Sequence, residues 1–324
     1  MLPNFGFIQD DDCVLQRFSF HARLRSSGFA TDTRTRRSFS RCLVLAALAI
    51  RLPAQAKPHR IVSTAPSITE TLFALGLGRQ VVGVSQYCDY PPEVQKLPKV
   101  GTYIKPDAEA IVRLVPDLVI LQRAASELTN RLTALHLQFI EVPHGTLSDV
   151  FTGIQLIAKA SGVPENAPAL IRQIQSALDG IQSKARALPS PRVLVIANRR
   201  QGTLTDLVAI GPGNYVNQVL GIAGGLNVLS EPGLPQYPHI SMETVLRENP
   251  DVILDLTGTQ KTEAQRQADS AATLSLWRQN TGLTAVRNGH VYVGTSNALL
   301  VPGPRTVEAT QRLFDYIHGI GNPS

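Results

Sequence analysis

Apolar residues in this chain gather in two spacings. Short, mostly apolar runs, the pattern of strands buried on both faces of a parallel sheet, fall at 60–64, 81–85, 117–121, 138–142, 193–197 and 290–294. Stretches with apolar positions three and four apart, the mark of a helix with one buried face, lie between them at 67–75, 107–115, 126–135 and 148–160, and a last one covers 305–317. Strand and helix alternate, which predicts an α/β fold with mainly parallel sheets. The first helix carries Ser67 and Glu70 at the spacing of a capping box, and Gly76 marks its end.

One helical stripe is longer than the rest. Leu170, Ile171, Ile174, Ala177, Leu178, Ile181, Ala185 and Leu188 share a face between Pro164 and the pair Pro189 and Pro191. About 24 residues give roughly 36 Å of helix, enough to bridge two small domains. The predicted organisation is an export leader over 1–56, an N-terminal lobe over 57–162, a linking helix over 163–190 and a C-terminal lobe over 191–324. Lobes held by a stiff helix move little on binding compared with hinged ones.

A repeated unit supports two similar lobes. Glu109, Ile111, Val112, Arg113, Pro116 and Asp117 recur in register as Glu243, Val245, Leu246, Arg247, Pro250 and Asp251, about 134 positions later. Each copy reads as a short helix stopped by proline and followed by a buried strand. The prediction is two Rossmann-like lobes with mainly parallel sheets, joined by one long α-helix, with a ligand cleft between them.

Charge changes this picture only at the N-terminus. The 324 residues carry a formal net charge of +6. Residues 1–56 hold eight arginines (17, 23, 25, 34, 36, 37, 41 and 51) against four aspartates (10, 11, 12 and 32), so most of the excess belongs to that segment. A basic nucleic-acid-binding face is therefore not expected. A basic run ending at Arg41, an apolar stretch over 42–50 and Ala54 and Ala56 as a small-x-small site form the three parts of an export signal, with cleavage after Ala56. Arg36 and Arg37 also fit a twin-arginine signal, so the export route stays open. Nine apolar residues ended by Arg51 are too few to cross a bilayer core, which needs roughly 20. Of three cysteines, Cys13 and Cys42 fall in the leader and Cys88 alone remains, so no internal disulfide is expected. The expected product is a monomeric, soluble periplasmic protein.

No catalytic pattern stands out. Gly211 and Gly213 resemble the start of a dinucleotide loop, but Val216 stands where the third glycine belongs. There is no Walker lysine, no nucleophile elbow and no HExxH helix. Histidines 59, 136, 144, 239, 290 and 318 show no metal-ligand spacing, although a zinc or manganese carrier stays open because separate histidines can converge in a fold. Tyr87, Tyr90, Tyr103 and Tyr237 lie in segments that read as loops after strands. Rings with one polar tip suit a large, partly apolar ligand; they equally suit the closing of a core. Glu109 and Glu243 each follow a capping candidate, Asp107 and Ser241, by two residues. A carboxylate there is favoured by the helix dipole by about 0.3–1 kcal/mol. The same two acids would also present matching anionic knobs to a pseudo-symmetric partner with basic pockets.

The segment from Arg60 through Pro66, Ser67 and Glu70, the run Tyr87, Asp89, Tyr90, Pro91 and Pro92, both repeat copies, Asn217 to Asn227, and Pro302, Pro304 and Arg305 together resemble a known family. It is that of periplasmic substrate-binding proteins of ABC importers for iron complexes and cobalamin, of the type with a helical backbone between lobes, and the tyrosine segment is most similar to its cobalamin branch. The resemblance covers most of 58–320. It implies a non-catalytic carrier that delivers a corrinoid to a permease dimer with its ATPase subunits, with no cofactor of its own. By the same resemblance Tyr87, Tyr103, Tyr237, Asn297 and Leu299 contact ligand, and Glu109 and Glu243 dock on permease arginines. The loop Asn297, Ala298, Leu299, Leu300, Val301 is more apolar than in some cobalamin binders. Haem, with Tyr103 as axial ligand, or a ferric siderophore, with Arg123, Arg199 and Arg200, are the alternatives within the family. An exported enzyme on the same scaffold is the alternative from another class.

Overall fold

The computed structural model describes residues 57–123, 126–257, 263–294 and 296–319. The leader, its cleavage site after Ala56, Cys13 and Cys42 lie outside the described residues.

Two sheets form, as the alternating pattern predicts. The first contains β1 (Ile61–Ser63), β2 (Val81–Val84), β3 (Leu118–Gln122) and β4 (Phe139–Val142) in the order β2-β1-β3-β4, all parallel. Its helices are α1 (Pro66–Ala74), α2 (Ala108–Arg113), α3 (Ser126–Ala134) and α4 (Leu147–Ala160). Helix α5 (Ala167–Ala185) follows, and then the second sheet: β5 (Arg192–Asn198), β6 (Leu207–Ala209), β7 (Leu226–Asn227), β8 (His239–Ile240), β9 (Val252–Asp255) and β10 (Val291–Val293). Here the order is β10-β9-β5-β6-β8, with β7 also on β5; β6 pairs antiparallel with both β5 and β8, and the other pairs are parallel. Helices α6 (Tyr215–Ile222), α7 (Met242–Glu248), α8 (Glu263–Arg278), α9 (Thr284–Arg287) and α10 (Thr306–His318) complete this part. The central runs Ile61–Val62, Val119–Leu121, Val193–Ile196 and Val252–Leu254 are essentially closed to solvent, as strands covered on both faces must be.

Helix α5 buries the predicted stripe. Ile171, Ile174, Leu178, Ile181 and Ala185 join one apolar cluster with residues of both sheets, and the helix packs on α4, α6 and α10. It spans 19 residues rather than the expected 24 or so. Pro168 near its start has no N–H to offer the Pro164 carbonyl, so 164–166 closes as a separate 3₁₀ turn.

The repeat has a physical basis. Asp117 accepts the amides of His59 and Arg60 at 2.8 and 3.0 Å, and Asp251 accepts that of Arg192 at 2.8 Å. Each arginine then donates to a carbonyl at the end of its short helix: Arg60 to Leu114 at 2.6 Å, Arg192 to Glu248 at 2.6 Å. One Pro-Asp unit thus ties the first strand of each sheet to the helix that precedes its neighbour. The copies differ where the chain turns into proline. Asn249 and Val115 both take a left-handed backbone, φ 40° and 46°. Asparagine tolerates this, but a β-branched residue rarely does. Val115 is 71% exposed, so its side chain contributes little packing. Val115→Asn should raise the unfolding free energy by about 1 kcal/mol, read from urea denaturation.

The capping box expected on α1 does not form. Ala65 is the residue at its N-cap and no side chain caps it. Glu70 is instead 3% exposed and reaches away from its own helix.

Candidate functional site

A cavity of about 930 Å³ lies where the loops after the parallel strands of the two sheets face one another. From the first sheet come Ser67 at the start of α1, Gln86, Tyr87 and Asp89 after β2, Gln122 at the end of β3, and His144 after β4. From the second come Asn214 and Tyr215 at the start of α6, Tyr237 before β8, and Asn297, Leu300, Val301 and Pro302 after β10. Crevices outside the carboxyl ends of parallel strands are where this class of sheet holds ligands.

Tyr87, Tyr103, Tyr237 and Asn297 all line the cavity. Tyr87 and Tyr103 meet edge to face at 5.6 Å, a geometry that holds both rings on the wall. Leu299 does not line it. It is fully buried in the apolar core, because the 3₁₀ turn Asn297–Leu299 directs it inward and leaves Leu300 and Val301 on the wall. Tyr90 is also absent from the wall and lies over the Arg305 guanidinium, 4.2 Å from its carbon to the ring centre.

Arg305 joins the two halves. Its Nη2 donates to Glu70 Oε1 at 2.6 Å, across 235 positions of sequence. Burial pushes the Glu70 carboxyl up from the usual carboxylate range, and Arg305 opposes that shift. Gly303 packs directly against this pair: a Cβ there would stand 3.4 Å from both Glu70 Oε2 and the Ser67 Cα, in van der Waals contact. Two further contacts cross nearby. Asn297 Nδ2 donates to Asp89, and the Leu147 amide donates to Gln218 Oε1 at 2.6 Å. This clasp replaces the cap expected of Glu70, and with 235 positions between the partners no local spacing signals it.

The arginines named for an anionic ligand are elsewhere. Arg199 is buried, with Nε on Asp255 at 2.8 Å and Nη2 on Thr273 at 2.6 Å; Trp277 Nε1 also donates to Asp255, at 2.9 Å. Arg200 pairs with Asp206 at 2.6 Å. Among the described lining residues there is no lysine or arginine, while five carry primary amides: Gln86, Gln95, Gln122, Asn214 and Asn297. Cys88 sits beneath the wall, buried, with Sγ 3.1 Å from Thr69 Oγ1. Burial pushes its thiol up, away from thiolate reactivity. Gly211 is glycine because a Cβ would lie 2.1 Å from the Pro235 carbonyl oxygen, a close approach of chain to chain.

Glu109 and Glu243 lie outside the cavity, both exposed, at the starts of α2 and α7. The capping candidates beside them act as caps: Asp107 accepts from the Glu109 and Ala110 amides, Ser241 from that of Thr244. Among the described residues no three His, Cys, Asp or Glu side chains are placed to hold a metal ion, and no helix is long and apolar enough to cross a membrane.

A family model described as "Periplasmic binding protein" matches residues 61–298. The vitamin B12-binding protein of Vibrio parahaemolyticus is 28% identical over 266 residues, 81% of this chain and 90% of that relative. Among solved structures, the periplasmic vitamin B12-binding protein BtuF of Vibrio cholerae superposes with TM-score 0.67 at 26% identity, covering 83% of this chain and 99% of that one. The haem-binding protein RhuT of Roseiflexus does so with TM-score 0.70 at 27% identity, covering 81% and 98%.

Proposed function

The chain belongs to the periplasmic binding protein family, and from that premise we propose that it captures a corrinoid in the periplasm and presents it, unchanged, to an ABC importer. The observation that carries this reading is the composition of the wall. Tyrosines 87 and 103 on one side and 237 on the other offer faces and edges to a large ring. Around them stand five primary amides. A corrin is a flat macrocycle fringed with acetamide and propionamide chains, and amides bind amides in both directions because each supplies donor and acceptor. Tyr87, Tyr103, Tyr237 and Asn297 are the proposed contacts, with Leu300 and Val301 taking the apolar role first given to Leu299.

The second reading is haem. Tyr103 stands on the wall, where a phenolate could reach an iron, and a haem-binding relative shares the fold. Against it, two propionates or a ferric catecholate ask for cations, and none is found among the described lining residues.

Titration calorimetry of the purified protein against cyanocobalamin, hemin and a ferric siderophore separates these readings. One-to-one submicromolar binding of cyanocobalamin is the expected result. Heat from hemin or the siderophore with none from cyanocobalamin would move the ligand to iron uptake. Glu109 and Glu243 are the proposed contacts to a permease dimer whose ATPase subunits drive the transfer.

A further inference from the structure

The cavity wall carries one carboxylate, Asp89, among the described lining residues, and nothing cationic beside it there. The nearest guanidinium is committed: Arg305 is bonded to Glu70 at 2.6 Å and stands 3.8 Å from Glu308. Glu308 in turn holds Arg312 at 3.1 Å. Three carboxylates therefore share two guanidinium groups, and Asp89 is the one left facing the ligand space. Its own partner is neutral, the Asn297 amide nitrogen. That bond leaves Asn297 Oδ1 buried with no hydrogen-bond partner. A buried acceptor without a donor is costly, so Asn297 is held in this orientation at the expense of its own carbonyl.

Resting on the corrinoid reading and refining it, we infer that Asp89 and Asn297 form a charge filter that favours fully amidated corrinoids over those in which a side-chain amide is a carboxylate. A neutral primary amide can donate to Asp89, which the Asn297 amide nitrogen holds on the wall. A carboxylate has no hydrogen to give and brings a like charge to a wall with no cation among its described lining residues, the nearby Arg305 being held by Glu70 and Glu308. Asp89 is exposed, so the effect is salt-dependent.

The test is competition binding of cyanocobalamin against each of its separable monocarboxylic acids, in which one propionamide is hydrolysed, with wild type and Asp89→Asn at low and at physiological salt. At least one acid should bind wild type about tenfold or more weakly than cyanocobalamin at low salt. For that acid the ratio should shrink towards one in Asp89→Asn, and only the wild-type ratio should depend on salt. A purely structural role for Asp89 would shift both ligands together and leave the ratio alone. Equal binding of every acid to wild type, or a ratio unchanged by Asp89→Asn, overturns the filter alone. Failure of cyanocobalamin itself to bind overturns the corrinoid reading and the filter with it.

Discussion

Arg305→Ala is expected to lower the unfolding free energy by about 3–5 kcal/mol at pH 8, since removing one partner of a buried ion pair strands the other. Glu70 is 3% exposed and, among the described residues, pairs with no other cation. Loss of the stacking under Tyr90 adds about 0.5–1 kcal/mol. The pH dependence follows from Glu70. Its carboxyl is already pushed up by burial, and Arg305 is what opposes this. Without Arg305 the folded-state value rises further above the unfolded one, so the folded chain binds the proton more tightly. Stability is then retained below the ordinary carboxylate value and lost as pH rises through the elevated folded value. The variant should therefore be less destabilised at pH 5 than at pH 8, by urea unfolding at both. Replacing both partners with apolar residues, Glu70→Met with Arg305→Leu, should recover most of the loss, because a buried pair costs about as much in desolvation as it returns. A double variant as weak as the single one would mean that the clasp depends on its hydrogen-bond geometry.

What was legible in the sequence divides along a physical line. Parallel strands announce themselves because burial on both faces demands consecutive apolar residues, as in Leu118–Gln122 and Val252–Asp255. The long helix shows through the spacing of Ile171, Ile174, Leu178 and Ile181. The antiparallel strands β6 and β8, three and two residues long, carry too few positions to show a period. In the cavity, tyrosines are visible because a large ring in a loop is unusual, whereas glutamines are ordinary surface residues until the fold turns Gln86, Gln95 and Gln122 onto one wall. Leu299 and Leu300 cannot be told apart by composition; a single 3₁₀ turn decides which is core and which is wall. The role of Glu70 is hidden because Ser-x-x-Glu before an apolar run is a local pattern, while its partner, Arg305, arrives from 235 positions away.

Reversing both exposed acids, Glu109→Arg with Glu243→Arg, should abolish ligand uptake while leaving ligand affinity intact. If each acid meets a permease arginine, each reversal replaces an attraction with a repulsion, and a close charge pair across an interface is worth about 1.5–7 kcal/mol. Two reversals thus exceed about a hundredfold loss of docking even at the weak end of that range. The cost to the fold is smaller. A cation in the first helical turn loses about 0.3–1 kcal/mol of dipole interaction per site. The caps come from Asp107 and Ser241, which are untouched. The Glu109 contact to Arg113, at 3.9 Å between exposed groups, contributes at most a few tenths of a kcal/mol. Neither acid lines the cavity, so calorimetry on the double variant should match wild type. Uptake of labelled cobalamin by cells with the chromosomal copy replaced by the variant reads the other half. Lost uptake with full affinity places the acids at the permease contact; normal uptake removes them from it; and lost affinity would mean that the two short helices shape the cavity itself.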